Sequence, residues 1–233
     1  DVYKGQSYSS IFLVAGALAL LALLPFLKVK ESYSAPKCDI HWKLSEIPPD
    51  LRRFMVIACL FALGNFSYMF FILRAQGIFS GGQAAASSIL LYALFNLTYA
   101  LLALPAGIWS DRIGRRKVLA AGYGLFALTA LGFALVKSPA GLIILFALYG
   151  LIYALVDGSE RAFVSDLSPA GLRGSALGLY SGALGLAAIA SSLVAWAIWE
   201  LWGQQATFIF GAVAAGLAAV GLMMWSERSG TQT

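Results

Sequence analysis

The sequence predicts an all-α, polytopic membrane protein, a bundle of seven transmembrane helices. Apolar residues make up 60% of the 233 and charged residues only 12%, about half the charge of a soluble domain. The charges cluster and leave seven uncharged runs, at about 9–27, 54–73, 86–109, 118–136, 140–156, 174–199 and 206–226. Runs of roughly 18 apolar residues cross the hydrocarbon core as helices. Strands of a membrane barrel would instead alternate in polarity over about ten residues, and none of these runs does so.

Seven spans put the two chain ends on opposite sides of the bilayer. With the carboxyl end inside, thirteen of the sixteen Lys and Arg residues fall on the cytoplasmic side; outside lie Lys4, Arg74 and Lys137. Basic loops stay cytoplasmic, so the amino end is expected outside and the carboxyl end in the cytoplasm. The net charge of +5 is thereby read as a topology signal, and nucleic acid is not expected as a partner. The lipid bilayer is.

The elements follow in order. Run 9–27 has no basic region before it and no A-x-A site after it, so it reads as a span and not as a signal peptide. Residues 28–53 form a polar connection holding Pro36, Pro48 and Pro49. A short surface helix is expected near His41–Ile47, before the Pro-Pro stop. Cys38-Asp-Ile-His41 has ligand residue types, but no second Cys/His pair accompanies it and His41 is the only histidine. No metal and no cofactor are expected.

Run 54–73 carries Asn65 and Tyr68 three residues apart, with Arg74 at its outer end. Run 86–109 carries Tyr92, Asn96 and Tyr99 at steps of four and three. After a cationic turn come run 118–136 and then run 140–156, where Tyr149, Tyr153 and Asp157 recur every four residues. Run 174–199 opens with Gly174, Gly178 and Gly182, followed by Gly185, and holds Tyr180 and Ser181. Such a glycine stripe admits another helix closely, whether as plain packing or as a sliding contact. Run 206–226 closes the bundle. Trp109, Trp199, Trp202 and Trp225 lie near span ends, where their rings favour the interface.

The long connection divides the chain: 1–27 as the last helix of an amino-terminal bundle, 28–51 as a cytoplasmic linker, 52–226 as a six-helix bundle, and 227–233 as a tail. The other connections are short, which suits antiparallel neighbours.

The turn Gly107-Ile-Trp-Ser-Asp111-Arg112-Ile-Gly114-Arg115-Arg116-Lys117 resembles the signature loop of the major facilitator superfamily, G-x-x-x-D-R-x-G-R-[KR]. Gly107, Asp111, Arg112, Gly114, Arg115 and Arg116 fill its named places. Residues 157–174, with Asp157, Glu160, Arg161, Asp166 and Arg173-Gly174, are similar to the connection between helices ten and eleven in bacterial members. The resemblance implies that the first span is family helix six, that the rest are helices seven to twelve, and that the loop is the family's second copy. It also implies a six-helix transporter half-bundle in a bacterial inner membrane, a small solute as substrate, and alternating access between two bundles. One bundle is then outstanding: an amino-terminal half, or a second copy of this chain.

Physical reasons for these residues stand beside the resemblance. Helix ends expose unpaired backbone groups and a dipole that invite opposite charge, and Gly107 and Gly114 permit close approach and a tight turn. Arg112, Arg115 and Arg116 are expected either to pair with Asp157, Glu160 or Asp166 as a conformational latch, or to fix topology.

No span carries an ionisable side chain in its middle, where one is usually functional. A coupling carboxylate is therefore expected elsewhere. Steps of three and four instead set Asn65, Tyr68, Tyr92, Asn96, Tyr99, Tyr149, Tyr153 and Tyr180 on helix faces. These faces suit a solute cavity, with helix–helix hydrogen bonding as the alternative. Arg74 is a candidate external gate. An uncharged aromatic cavity leans the reading to efflux of small organic compounds. An enzyme is not expected, because no His/Cys/Asp cluster, G-x-S-x-G or phosphate loop occurs. A non-transporting scaffold or receptor on the same fold is the other reading.

Overall fold

The computed structural model describes residues 47–79 and 84–225, together with positions 13, 14, 16, 17, 20 and 21. The expected first span save those six positions, the surface helix at His41–Ile47 save Ile47, the Cys38–His41 stretch and the tail lie outside the described residues. So does most of the linker. The unit beginning at Trp42 is described by itself.

Seven α-helices, α1 Pro49–Gly64, α2 Tyr68–Gln76, α3 Ala84–Ile113, α4 Arg115–Leu135, α5 Pro139–Asp166, α6 Arg173–Trp202 and α7 Gln204–Met223, follow one another, with a 3-10 turn at Ala170–Leu172 before α6. Counting α1 and α2 as one interrupted crossing, six segments among the described residues are long and apolar enough to span a membrane. There are no strands among the described residues.

The local chemistry explains the ends. Pro49 starts α1, where a missing N–H costs nothing. Ser138 caps α5 by accepting from the Gly141 amide at 3.2 Å, with Pro139 in the first turn. Gly114, at φ +103°, makes the turn from α3 to α4, and Gly203, at φ +86°, the turn from α6 to α7. Side chains with a Cβ rarely adopt either conformation.

Every helix is apolar nearly all round, as expected where lipid covers one face and protein the other. The windows of α4 and α7 that best fit a span are 56% and 50% buried, against 17% for α3 and 11% for α6. So α4 and α7 form the middle, packed on one another, and α3 lies along α5. Lipid tails are as apolar as leucine, so close packing must supply the cohesion. Two glycine contacts supply part of it. A Cβ on Gly64 would stand 2.7 Å from the Gly211 carbonyl oxygen, and one on Gly150 would stand 2.5 Å from that of Phe95. Aromatic rings fill the remaining space: Phe71 stacks on Tyr149 at 4.5 Å and meets Phe133 edge-on at 4.9 Å.

Three expectations are corrected. The run 54–73 is not one continuous helix: α1 stops at Gly64, where its backbone touches α7, and α2 restarts behind Ser67, which accepts from the Met69 amide. The fifth run does not end at residue 156, since α5 continues unbroken to Asp166. The α6 glycines do not pack within this bundle. Among the described residues nothing lies within 4 Å of where a Cβ would stand on Gly174, Gly178, Gly182 or Gly185.

Candidate functional site

The break between α1 and α2 positions the first polar group. Asn65 sits in the interruption, freed from the helical ladder, and its side chain turns toward α5. There its amide Nδ2 donates to the Tyr153 hydroxyl at 3.4 Å, while the Tyr149 hydroxyl donates to Asn65 Oδ1 at 3.4 Å. Tyr149 and Tyr153 are one helical turn apart and their hydroxyls stand 3.5 Å from each other. Three of the predicted cavity residues thus form one small network.

Beside it lies a cavity of about 250 Å³ between α1, α5 and α6. Asn65, Tyr153, Asp157 and Glu160 supply its polar wall, and Phe61 and Leu184 are among its apolar lining. Two larger hollows, of about 650 and 700 Å³, flank α1 at Arg52 and Val56. Val56 is 65% exposed there, as a lipid-facing side chain would be.

The other predicted cavity residues take different places. Tyr99 donates to Asp157 Oδ2 at 3.1 Å, and its ring lies edge-on to Tyr153 at 6.3 Å. Tyr68 stacks on Tyr92 at 5.0 Å, and Tyr92 continues the stack to Phe95. Asn96 is exposed and donates to the Tyr92 carbonyl of its own helix at 2.8 Å; it does not reach the network. Tyr180 is buried and donates to Glu160 Oε2 at 2.5 Å.

Glu160 is the residue that sequence reasoning misplaced. The sequence groups it with the charges of the cytoplasmic connection, beyond a run that ends at residue 156. In the structure it lies six residues before the end of α5, only 8% exposed. Tyr123 of α4 donates to its Oε1 at 2.5 Å and Tyr180 of α6 to its Oε2. Among the described residues no Lys, Arg or His pairs with it. A signal was present: residues 149, 153 and 160 fall four and seven apart, which is one helix face.

The signature loop forms a second site. Arg115, at the start of α4, holds Asp111 of α3 at 2.9 Å and Asp166 of α5 at 2.5 Å, and also donates to the Ala162 carbonyl at 2.9 Å. One guanidinium fork therefore ties three helix ends together. Just inside, Ser159 donates to Ser110 at 2.8 Å, both buried. Arg116 donates to the Trp225 carbonyl. Arg161 pairs with Asp157 at 2.6 Å. Arg112 and Arg173 are exposed. Among the described residues Gly107 does not provide the expected close approach, since none of them lies within 4 Å of where its Cβ would stand.

At the opposite end of α4, Arg74 donates to the carbonyl oxygens of Phe133 at 3.0 Å, Ala134 at 3.4 Å and Val136 at 2.8 Å, and to Gln204 Oε1 at 3.1 Å. The last carbonyls of a helix lack partners in their own helix. Arg74 supplies them and joins α2, α4 and α7.

Comparison with known proteins identifies the family. An uncharacterized MFS-type transporter of Methanocaldococcus jannaschii is 40% identical over 227 residues, covering 95% of this chain and 57% of that protein. The tetracenomycin C resistance and export protein of Streptomyces glaucescens is 30% identical over 126 residues, 54% of this chain and 23% of that protein. The chain therefore spans little more than half the length of the first relative and about a quarter of the second. The profile described as Major Facilitator Superfamily matches residues 54–232. That match runs from α1 past the end of α7 and takes in the signature loop, so this multi-pass membrane chain belongs to the Major Facilitator Superfamily.

Proposed function

We propose that the chain forms one bundle of a secondary active transporter, moving a small solute by alternating access. The observation that carries this reading is the cavity at the α1–α2 interruption. There Asn65, Tyr153, Asp157 and Glu160 face a hollow inside an otherwise apolar membrane bundle. Transporters hold their solutes near the midplane on discontinuous helices, where freed backbone and side-chain groups can bind. The second bundle is an amino-terminal half or a second copy of this chain. In this reading 1–27 is the last helix of the missing half, 28–51 is the linker, and the protein resides in the inner membrane with the Arg115 cluster on the cytoplasmic side.

Arg115, Asp111 and Asp166 then act as a latch. The contacts bias a two-state bundle because they can form in only one of its arrangements. The aromatic cavity and the export relative lean the reading to efflux.

The test is solute flux. The protein, produced from its entire reading frame, is reconstituted into liposomes and offered neutral, cationic and anionic small organic solutes. Saturable flux of at least one solute, reduced tenfold or more by Tyr153→Ala, is the expected outcome. A well-folded protein that moves none of them overturns the reading in favour of a non-transporting scaffold.

A further inference from the structure

Glu160 is left over by the network and by the latch. Its two oxygens each accept from a different hydroxyl, which solvates a carboxylate without neutralising it. Among the described residues no cation pairs with it, and a buried charge lacking a partner is costly enough to call for a reason. The groups that face it from each packed helix are the Cys59 thiol of α1, Tyr123 of α4, Tyr180 of α6, and Asp157 and Arg161 of its own helix. The one cation among them, Arg161, is engaged by Asp157 at 2.6 Å.

The charge of the neighbouring cavity follows. Asp157 and Arg161 pair with one another, Glu160 is the carboxyl in the wall left without a cationic partner, and no Lys, Arg or His among the described residues lines that wall. An anionic solute would find no positive partner there. A neutral one would leave the carboxyl without a counter-charge. A cation would balance it. The aromatic side chains point the same way, since Phe61 and Tyr153 line the same space and ring faces attract positive charge. The volume, about 250 Å³, is just below the usual range of roughly 300–1,000 Å³ for ligand pockets, so the occupant is small.

We propose that this cavity is a cation site, taking a compact alkyl- or arylammonium ion whose charge is balanced by Glu160 and whose apolar body packs on Phe61 and Tyr153. The inference rests on the reading of the bundle as a solute pathway, and it adds the class of solute.

The experiment is calorimetric binding to the purified protein in lipid nanodiscs, with three ligands of similar size: benzyltrimethylammonium, benzyl alcohol and benzenesulfonate. Saturable binding of benzyltrimethylammonium, at least tenfold tighter than either of the others, is expected. Glu160→Gln should weaken it tenfold or more, and Glu160→Asp, which keeps the charge, should restore most of the affinity. Absence of benzyltrimethylammonium binding overturns the proposal. Equal binding of the neutral or anionic ligand does so too, as does unchanged binding in a monodisperse Glu160→Gln protein. Should that variant fail to fold, the comparison of ligand charge on the native protein decides alone. A protein that moves a neutral solute but refuses benzyltrimethylammonium overturns the cation site only. One that binds it but shows no flux overturns the transport reading only.

Discussion

The guanidinium of Arg74 donates to the carbonyl oxygen of Val136 at 2.8 Å across the gap between α2 and the end of α4. With its bonds to Phe133, Ala134 and Gln204, it closes a helix end that would otherwise carry unpaired acceptors. Arg74→Gln should lower stability by about 2–3 kcal/mol, because charged hydrogen bonds are worth about 1.5–3 kcal/mol each and some are replaced by water. Arg74→Lys should recover little, since an ammonium cannot span the same fork. Thermal unfolding in detergent measures both. A native melting temperature in Arg74→Gln would return the residue to consideration as a gate without a structural task.

The approach of Gly150 to the Phe95 carbonyl predicts a different loss. Backbone cannot move aside as a side chain can, so Gly150→Ala must push α3 from α5, at a cost of about 1–3 kcal/mol. Gly178→Ala, on the open face of α6, should cost the bundle nothing measurable. Parallel melting curves of the two variants check the contrast.

Gly114 and Gly107 stand seven residues apart in the signature loop and should behave unlike one another. The positive φ of Gly114 makes Gly114→Ala strained by about 1–3 kcal/mol, whereas Gly107→Ala meets no neighbour and should be tolerated in stability. If both variants melt alike, Gly114 does not hold a positive φ in the folded protein.

Arg115 and Asp166 should be coupled in function more than in stability. Asp166 is largely exposed, and exposed pairs contribute about 0–1 kcal/mol. A double-mutant cycle on Arg115→Gln and Asp166→Asn should therefore show a coupling of at most about 1 kcal/mol in unfolding. Transport should fall tenfold or more in either single variant. Proportionate losses in the two readouts would reduce the cluster to a fold clamp and remove the latch.

The two polar centres differ in how far the sequence exposes them. The Arg115 cluster was legible because Asp111 and Arg115 stand four residues apart in the signature loop and because its charges, Asp166 included though 51 residues on, sit at helix ends where charge must lie. The environment of Glu160 was not. Its partners Tyr123 and Tyr180 are 37 and 20 residues away, each on another helix, and a span boundary drawn at residue 156 left it outside the membrane helix. The same limit governed Arg74. Its place near the end of an apolar run was readable, but its carbonyl acceptors lie some 60 residues on, at the end of α4, and Gln204 lies 130 residues on, in α7.

By itself the sequence determined that this protein is a helical membrane bundle, where most of its described crossings begin and end to within a few residues, the end of α5 excepted, and that the Gly107–Lys117 turn carries a transporter signature. Those features arise from local hydrophobicity, turn chemistry and charge placement, which act over distances of a few residues. Only the tertiary structure decided that the first described crossing is interrupted at Asn65, that Tyr149 and Tyr153 meet it there, and that Glu160 is buried between two tyrosines from two other helices. Lipid imposes only that each helix be apolar outside. Which small or polar side chains then meet is set by how the helices cross, and that depends on close contacts such as Gly64 with Gly211 and Gly150 with Phe95, made between residues far apart in the chain.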